Sequence, residues 1–107
     1  MQEYSQEGVS ILCDFCHVPW DGQFAMIEGH QGSAICLECL KKALENAQTH
    51  ADKYRCTMCL RINIPGHLPR WSTAEFPQAV VCQECLFLAA KAMSKAPHAN
   101  FQWSPPT

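Results

Sequence analysis

The chain has no apolar run approaching the roughly 18 residues that a bilayer-spanning helix needs, so no membrane partner is expected. Residues 1–12, MQEYSQEGVSIL, have neither a basic start nor a long apolar stretch. No secretory leader is read there, and a cytoplasmic location is expected. Cationic residues are few and scattered: Lys41, Lys42, Lys53, Arg55, Arg61, Arg70, Lys91 and Lys95. They form no stripe of the kind that tracks a phosphate backbone. Also missing are a His-Asn-His nuclease set, a Ser/His/Asp set and a Gly-rich phosphate loop, and the protein is expected not to be an enzyme.

What is present is cysteine. All eight fall into Cys-x-x-Cys pairs: Cys13/Cys16, Cys36/Cys39, Cys56/Cys59 and Cys82/Cys85. A two-residue gap lets both sulfurs of a pair reach one ion, and two pairs complete a tetrahedral Zn²⁺ shell. The eight thiols therefore make two four-cysteine sites with none left over, and two Zn²⁺ ions are the expected cofactors. Disulfides or redox-active dithiols are the alternatives, and a reducing compartment weighs against a disulfide framework. Iron also accepts four thiolates. With 107 residues the chain makes one ordinary domain or two very small ones. Folds of about 50 residues seldom stabilise themselves by burial alone, so metal and fold are expected to form one thermodynamic unit. The formal charge is −2. Each tetrathiolate zinc adds −2, bringing the loaded protein to about −6, a poor match for nucleic acid.

The chain is an internal duplication. Between its two pairs the first half has 19 residues and the second 22. Beyond them, ICLECLKKALENA aligns without gaps on VCQECLFLAAKAM. Ile35 matches Val81, Glu38 matches Glu84, Leu40 matches Leu86, Ala43 matches Ala89 and Ala47 matches Met93. The reading is two modules, 9–49 and 53–96, joined through the polar segment 48–55, with residues 1–8 and 97–107 as flexible tails. The duplication argues for sequential pairing, one ion per module. An interleaved cross-brace is the alternative.

Each module reads as knuckle, hairpin and helix. Phe24-Ala25-Met26-Ile27, bounded by Gly22 and Gly29, predicts a strand, and Ala34-Ile35 and Val80-Val81 predict return strands. Leu37, Leu40, Leu44 and Ala47 recur on one face of a helix opening at Cys36. The run Leu86–Ala90 is apolar nearly all round, which predicts a second helix touching its own hairpin and the first module. Placing the second pair of each module at a helix N-terminus favours thiolate charge. The arrangement is a treble clef, and the fold class is small, zinc-stabilised α+β.

The first module resembles the N-terminal four-cysteine zinc finger of the ClpX unfoldase family. The resemblance runs through Cys13-Asp14-Phe15-Cys16, the strand ending at Ile27 and Gly29, and Ile35-Cys36-Leu37-Glu38-Cys39-Leu40. Leu37 departs from the usual acidic residue, and His17 stands where glycine is common. Val81-Cys82-Gln83-Glu84-Cys85-Leu86 fits more loosely, and the Cys56-Thr57-Met58-Cys59 knuckle lacks an aromatic. The resemblance implies a treble clef that dimerises through apolar surface and docks protein ligands. No ATPase module follows, so unfoldase activity does not carry over. Two fused copies imply a monomer with an internal pseudo-dimer in place of a homodimer. The frame around Trp20 and Cys36 also looks a little like a GATA-type finger, but residues 17–35 contain no Lys or Arg.

The remaining polar candidates have plainer readings. Cysteines fill both sites without His17, His30, His50, His67 or His98, of which His17 is the one best placed to substitute. Glu38 and Glu84 read as first-turn acids rather than general bases, because four thiolates leave the metal no open position. Trp20, Phe24, Trp71 and Phe76 are read as core or inter-module packing, with one or two exposed for docking. Residues 66–78 read as an irregular insertion, and Phe101 and Trp103 can fold back on the core or serve as a linear motif. The expected function is protein–protein interaction, as an adaptor or regulator. Nucleic-acid binding is the first alternative, and a thiol redox sensor that releases zinc on oxidation is the second.

Overall fold

A computed structural model describes residues 1–5, 8–20, 26–96 and 101–104. Gly22, Phe24, Ala25 and His98 lie outside these residues, as do positions 6–7, 97–100 and 105–107 of the two expected tails. The chain is small α+β. Strands β1 (Gln2–Ser5) and β2 (Gly8–Ile11) form an antiparallel hairpin ahead of the first knuckle. Strands β3 (Met26–Glu28) and β4 (Ala34–Cys36) form a second and lead into α1 (Leu37–Asn46). Strands β5 (Arg70–Trp71) and β6 (Val81–Cys82) form a third and lead into α2 (Gln83–Lys95).

Three of these elements differ from expectation. Residues 2–5, expected within a tail, pair with β2, and the Leu12 N–H donates to the Met1 carbonyl at 2.6 Å. β5 lies inside the stretch read as irregular. It holds only two residues, between Pro69 and Ser72, too few for an alternating pattern to show. Of the strand expected over 24–27, Met26 and Ile27 lie in β3, which runs on to Glu28, while Phe24 and Ala25 lie outside the described residues.

Both helices open identically. Cys36 and Cys82 sit at the N-caps in extended conformation (φ −82° in each), with Glu38 and Glu84 in the first turns. Cys39, Leu40 and Ala43 are buried on α1, and Leu86, Ala89, Ala90 and Met93 on α2. The duplicated positions Ile35/Val81, Leu40/Leu86 and Ala43/Ala89 are therefore core in both halves, each large apolar side chain contributing about 1.5–3 kcal/mol by burial. These residues belong to one continuous core that also takes in Phe15 and Met58 from the knuckles. As expected of its apolar sequence, α2 contacts β6, β3 and α1. It is not buried all round: Leu88 is 62% exposed. Phe101 and Trp103 lie against the core, with the Trp103 ring centroid 5.2 Å from that of Phe87.

The segment joining the halves is fastened at several points. Gln48 and Arg70 exchange both backbone hydrogen bonds at 2.9 Å, Tyr54 and Ile64 exchange another pair, and the His50 N–H donates to the Gly66 carbonyl at 2.8 Å. The Arg70 guanidinium bonds Asp52 Oδ1 at 2.8 Å and lies 4.6 Å from the centre of the Tyr54 ring. That guanidinium holds the Asp52 carboxyl below the usual carboxylate range. Gly66 is required here because a Cβ would collide with the backbone of His50, Ala51 and Asp52. Backbone cannot swing aside as a side-chain end can. Gly66→Ala should destabilise the fold by about 1–3 kcal/mol in chemical denaturation, an overpacking cost. An unchanged midpoint would mean the segment is not fastened there.

Candidate metal centres

Cys13, Cys16, Cys36 and Cys39 come together in one group and Cys56, Cys59, Cys82 and Cys85 in another, the sulfurs of each lying within 4.8 Å of one another. The grouping is sequential, not interleaved. Every cysteine is free. The Sγ–Sγ distances are 3.8 Å for Cys16–Cys36, 3.7 Å for Cys56–Cys85 and 4.0 Å for Cys59–Cys82. Four ligands at the usual Zn–S bond length sit roughly 3.8 Å apart at the corners of a tetrahedron, whereas a disulfide brings sulfurs to about 2.05 Å.

The same local bonds build both knuckles. Cys13 N–H donates to the Val18 carbonyl (3.1 Å), as Cys56 N–H does to that of Arg61 (3.0 Å). His17 N–H closes the turn on the Cys13 carbonyl (2.8 Å), as Leu60 N–H does on that of Cys56 (3.0 Å). His17 and Leu60 both take left-handed backbone, φ 61° and 64°, a conformation that glycine adopts most easily. Asp14 and Thr57 each tie knuckle to return strand twice. Their N–H groups donate to the Ala34 and Val80 carbonyls, and their side-chain oxygens accept from the Ala34 and Val80 N–H at 2.7 and 3.0 Å. Cys36 N–H points at Cys13 Sγ (3.5 Å), and Cys82 N–H at Cys56 Sγ (3.4 Å). Backbone N–H groups aimed at sulfur favour the thiolate.

Four sulfurs this close cannot all ionise by themselves. Hydrogen bonds from the Cys36 and Cys39 side chains hold Cys13 well below the usual thiol range, and Cys36, hydrogen-bonded to Cys13, is pushed up to about 11. In the second group bonds from Cys56 and Cys85 lower Cys82. Cys39 in the first group and Cys85 in the second are pushed far up by the sulfurs beside them. A divalent cation removes this competition, because all four sulfurs can then be thiolates. The donor set fits such an ion, and either group could hold one.

The halves also touch across the duplication. The His30 N–H donates to the Met58 carbonyl (2.8 Å), and Thr73 Oγ1 donates to the Phe15 carbonyl (2.8 Å). Phe15 and Met58 occupy the same knuckle position in their repeats. The His17 and Phe76 rings stack at 3.6 Å, and the Phe15 and Trp71 centroids are 5.6 Å apart. His17 thus faces an aromatic ring, and His30, His50 and His67 are exposed; none of these four histidines joins a cysteine group. Trp20 is 45% exposed. Glu38 forms a surface pair with Lys41 at 3.8 Å.

Sequence reasoning missed Arg61. Its Nε lies 3.4 Å from Cys59 Sγ and its Nη2 3.5 Å from Cys82 Sγ, and Nη2 also bonds Glu84 Oε2 at 2.8 Å. The available signal was its place two residues after Cys59.

Among the described residues no helix is long and apolar enough to cross a membrane. No family model, curated protein or solved structure matches the chain.

Removing the ions at neutral pH with a strong chelator should abolish the helical circular dichroism, and restoring two equivalents of Zn²⁺ should recover it. Acid should act in the same direction. The loaded state carries fewer thiol protons than the unfolded chain, so stability rises with pH up to the ordinary thiol range near about 8.5 and is lost on acidification. Full helicity in chelator would show that the core stands without metal.

Proposed function

We propose that the protein is a non-catalytic protein–protein interaction module of the cytoplasm, an adaptor or regulator stapled by two structural Zn²⁺ ions. Cys13, Cys16, Cys36 and Cys39 ligate one, and Cys56, Cys59, Cys82 and Cys85 the other. Each site has four thiolates and no position for substrate, which suits a structural ion and not a Lewis acid. The modules, 9–49 and 53–96, are treble clefs of the ClpX type, the first close and the second loose. They pack as an internal pseudo-dimer, so the chain acts as a monomer. Reciprocal bonding supports this packing: Met58 accepts from the hairpin of the first repeat, and Phe15 from that of the second. Equivalent residues contacting one another's partners are the mark of an isologous interface.

The observation that carries docking is Leu88. At the matching position of α1 stands Lys42, as a solvated helix face requires, yet on α2 this apolar side chain is 62% exposed. It borders a cleft lined by Ile27, Gly29 and Met58. Ile62, on the second knuckle, is 66% exposed. A protein partner presenting apolar side chains suits this surface. The nucleic-acid alternative loses cations to intramolecular pairs, Arg61 to Glu84 and Arg70 to Asp52.

Capture by immobilised holoprotein tests the reading. Leu88→Glu combined with Ile62→Glu should abolish capture of a protein partner, with two zincs and the helix signal retained. Short DNA and RNA duplexes at about 50 mM salt should not bind, although low salt favours phosphate contacts. Undiminished capture by the double variant, or salt-sensitive nucleic-acid binding, would overturn it.

A further inference from the structure

The two cysteine groups are built alike but finished differently. Position 18 of the first repeat corresponds to position 61 of the second by the knuckle register, and these positions hold Val18 and Arg61. Both carbonyls accept the N–H of the first knuckle cysteine, so the two side chains leave the backbone at equivalent points. The Arg61 side chain folds onto the sulfurs. It donates to Cys59 and Cys82, and Glu84 anchors its far end. Valine can do neither. Exposure differs in the same sense. Cys16 is the one exposed cysteine, while its counterpart Cys59 is only partly so, with Arg61 against it.

We infer that the two metal sites are unequal in reactivity: the first is open to soft carbon electrophiles at Cys16, and the second is protected by Arg61. This rests on the zinc reading of the clusters, not on the docking reading. With an ion bound, all four cysteines of a site would be thiolates, so the thiolate fraction would not limit reaction. What remains is access to a sulfur lone pair and how firmly that pair is held. An N–H donor directed at sulfur holds it, and a guanidinium beside a doubly negative site offsets its charge. Cys59 has both protections, and Cys16 is the more exposed of the two. The step needs no oxidant. A Cys16 lone pair forms a sulfur–carbon bond, the carbon–leaving-group bond breaks, and the leaving group departs with its electron pair. The resulting thioether is a weak ligand, leaving three thiolates and an ion ready to dissociate. Metal loss there frees the knuckle that carries Phe15 and accepts Thr73, so modification at Cys16 also loosens the contact between the repeats.

Native mass spectrometry of the holoprotein during treatment with limiting iodoacetamide reads this directly, with peptide mapping of the label. A starting count of two ions establishes the zinc reading separately. The first label should fall on Cys16, with loss of one ion while Cys56, Cys59, Cys82 and Cys85 stay unmodified. Arg61→Val should speed labelling of Cys59 roughly tenfold, the scale of losing a charge-assisted hydrogen bond, with little change at Cys16. Val18→Arg should slow labelling of Cys16. First labelling in the second group, or an Arg61→Val rate at Cys59 equal to that of the unmodified sequence, would overturn the inference. Tracking both sites in one sample makes any global loosening visible as acceleration at Cys16 as well, and that pattern would also count against it.

Discussion

Four sulfurs held within 4.8 Å of one another repel as thiolates, and that repulsion is the constraint on which each half of the chain depends. A divalent cation would relieve it and would join a knuckle to the start of a helix some twenty residues away. Everything else in each repeat serves that join. The left-handed residues at 17 and 60 turn the knuckle. Asp14 and Thr57 tie it to the return strand, and the Cys36 and Cys82 N–H groups aim at the sulfur opposite. Each knuckle also sends its inner residue, Phe15 or Met58, into the common core.

A repeat of this size has little apolar area of its own, and a single continuous core across both repeats is the remedy. Ala47 and Met93, equivalent by sequence, show how the copies diverged to fit: Met93 is fully buried, while Ala47 lies half-buried at the end of α1. Divergence also separates the surfaces. Lys42 became Leu88 and Val18 became Arg61, or the reverse, so one half carries the exposed apolar helix face and the guarded cysteines. In the proposed pseudo-dimer such differences are free to accumulate, because no second copy has to match them.

The two cysteine groups, both helices and their buried positions were legible because they follow from rules of spacing: two residues between paired cysteines, three or four between core residues. The sequential grouping was legible only through the duplication. Strand β5 was not, since a two-residue strand has no period. The pairing of Gln2–Ser5 with Gly8–Ile11 was hidden by polar composition, being held by backbone bonds that leave no mark on residue type. The fastening of the 48–55 segment escaped for a similar reason. It depends on main-chain bonds and on the absence of a side chain at Gly66, and one glycine is not informative until its neighbours are known. Arg61 was read as one scattered cation because its partners, Cys82 and Glu84, lie more than twenty residues on.

The central claim is that each ion is held by four cysteines of one repeat. Cadmium substitution followed by ¹¹³Cd–¹H correlation reads it most directly, since each cadmium couples to the β-protons of its own ligands. The account predicts two cadmium resonances, one coupled to Cys13, Cys16, Cys36 and Cys39 and the other to Cys56, Cys59, Cys82 and Cys85. A resonance coupled to cysteines of both repeats, or a single bound cadmium, would contradict it.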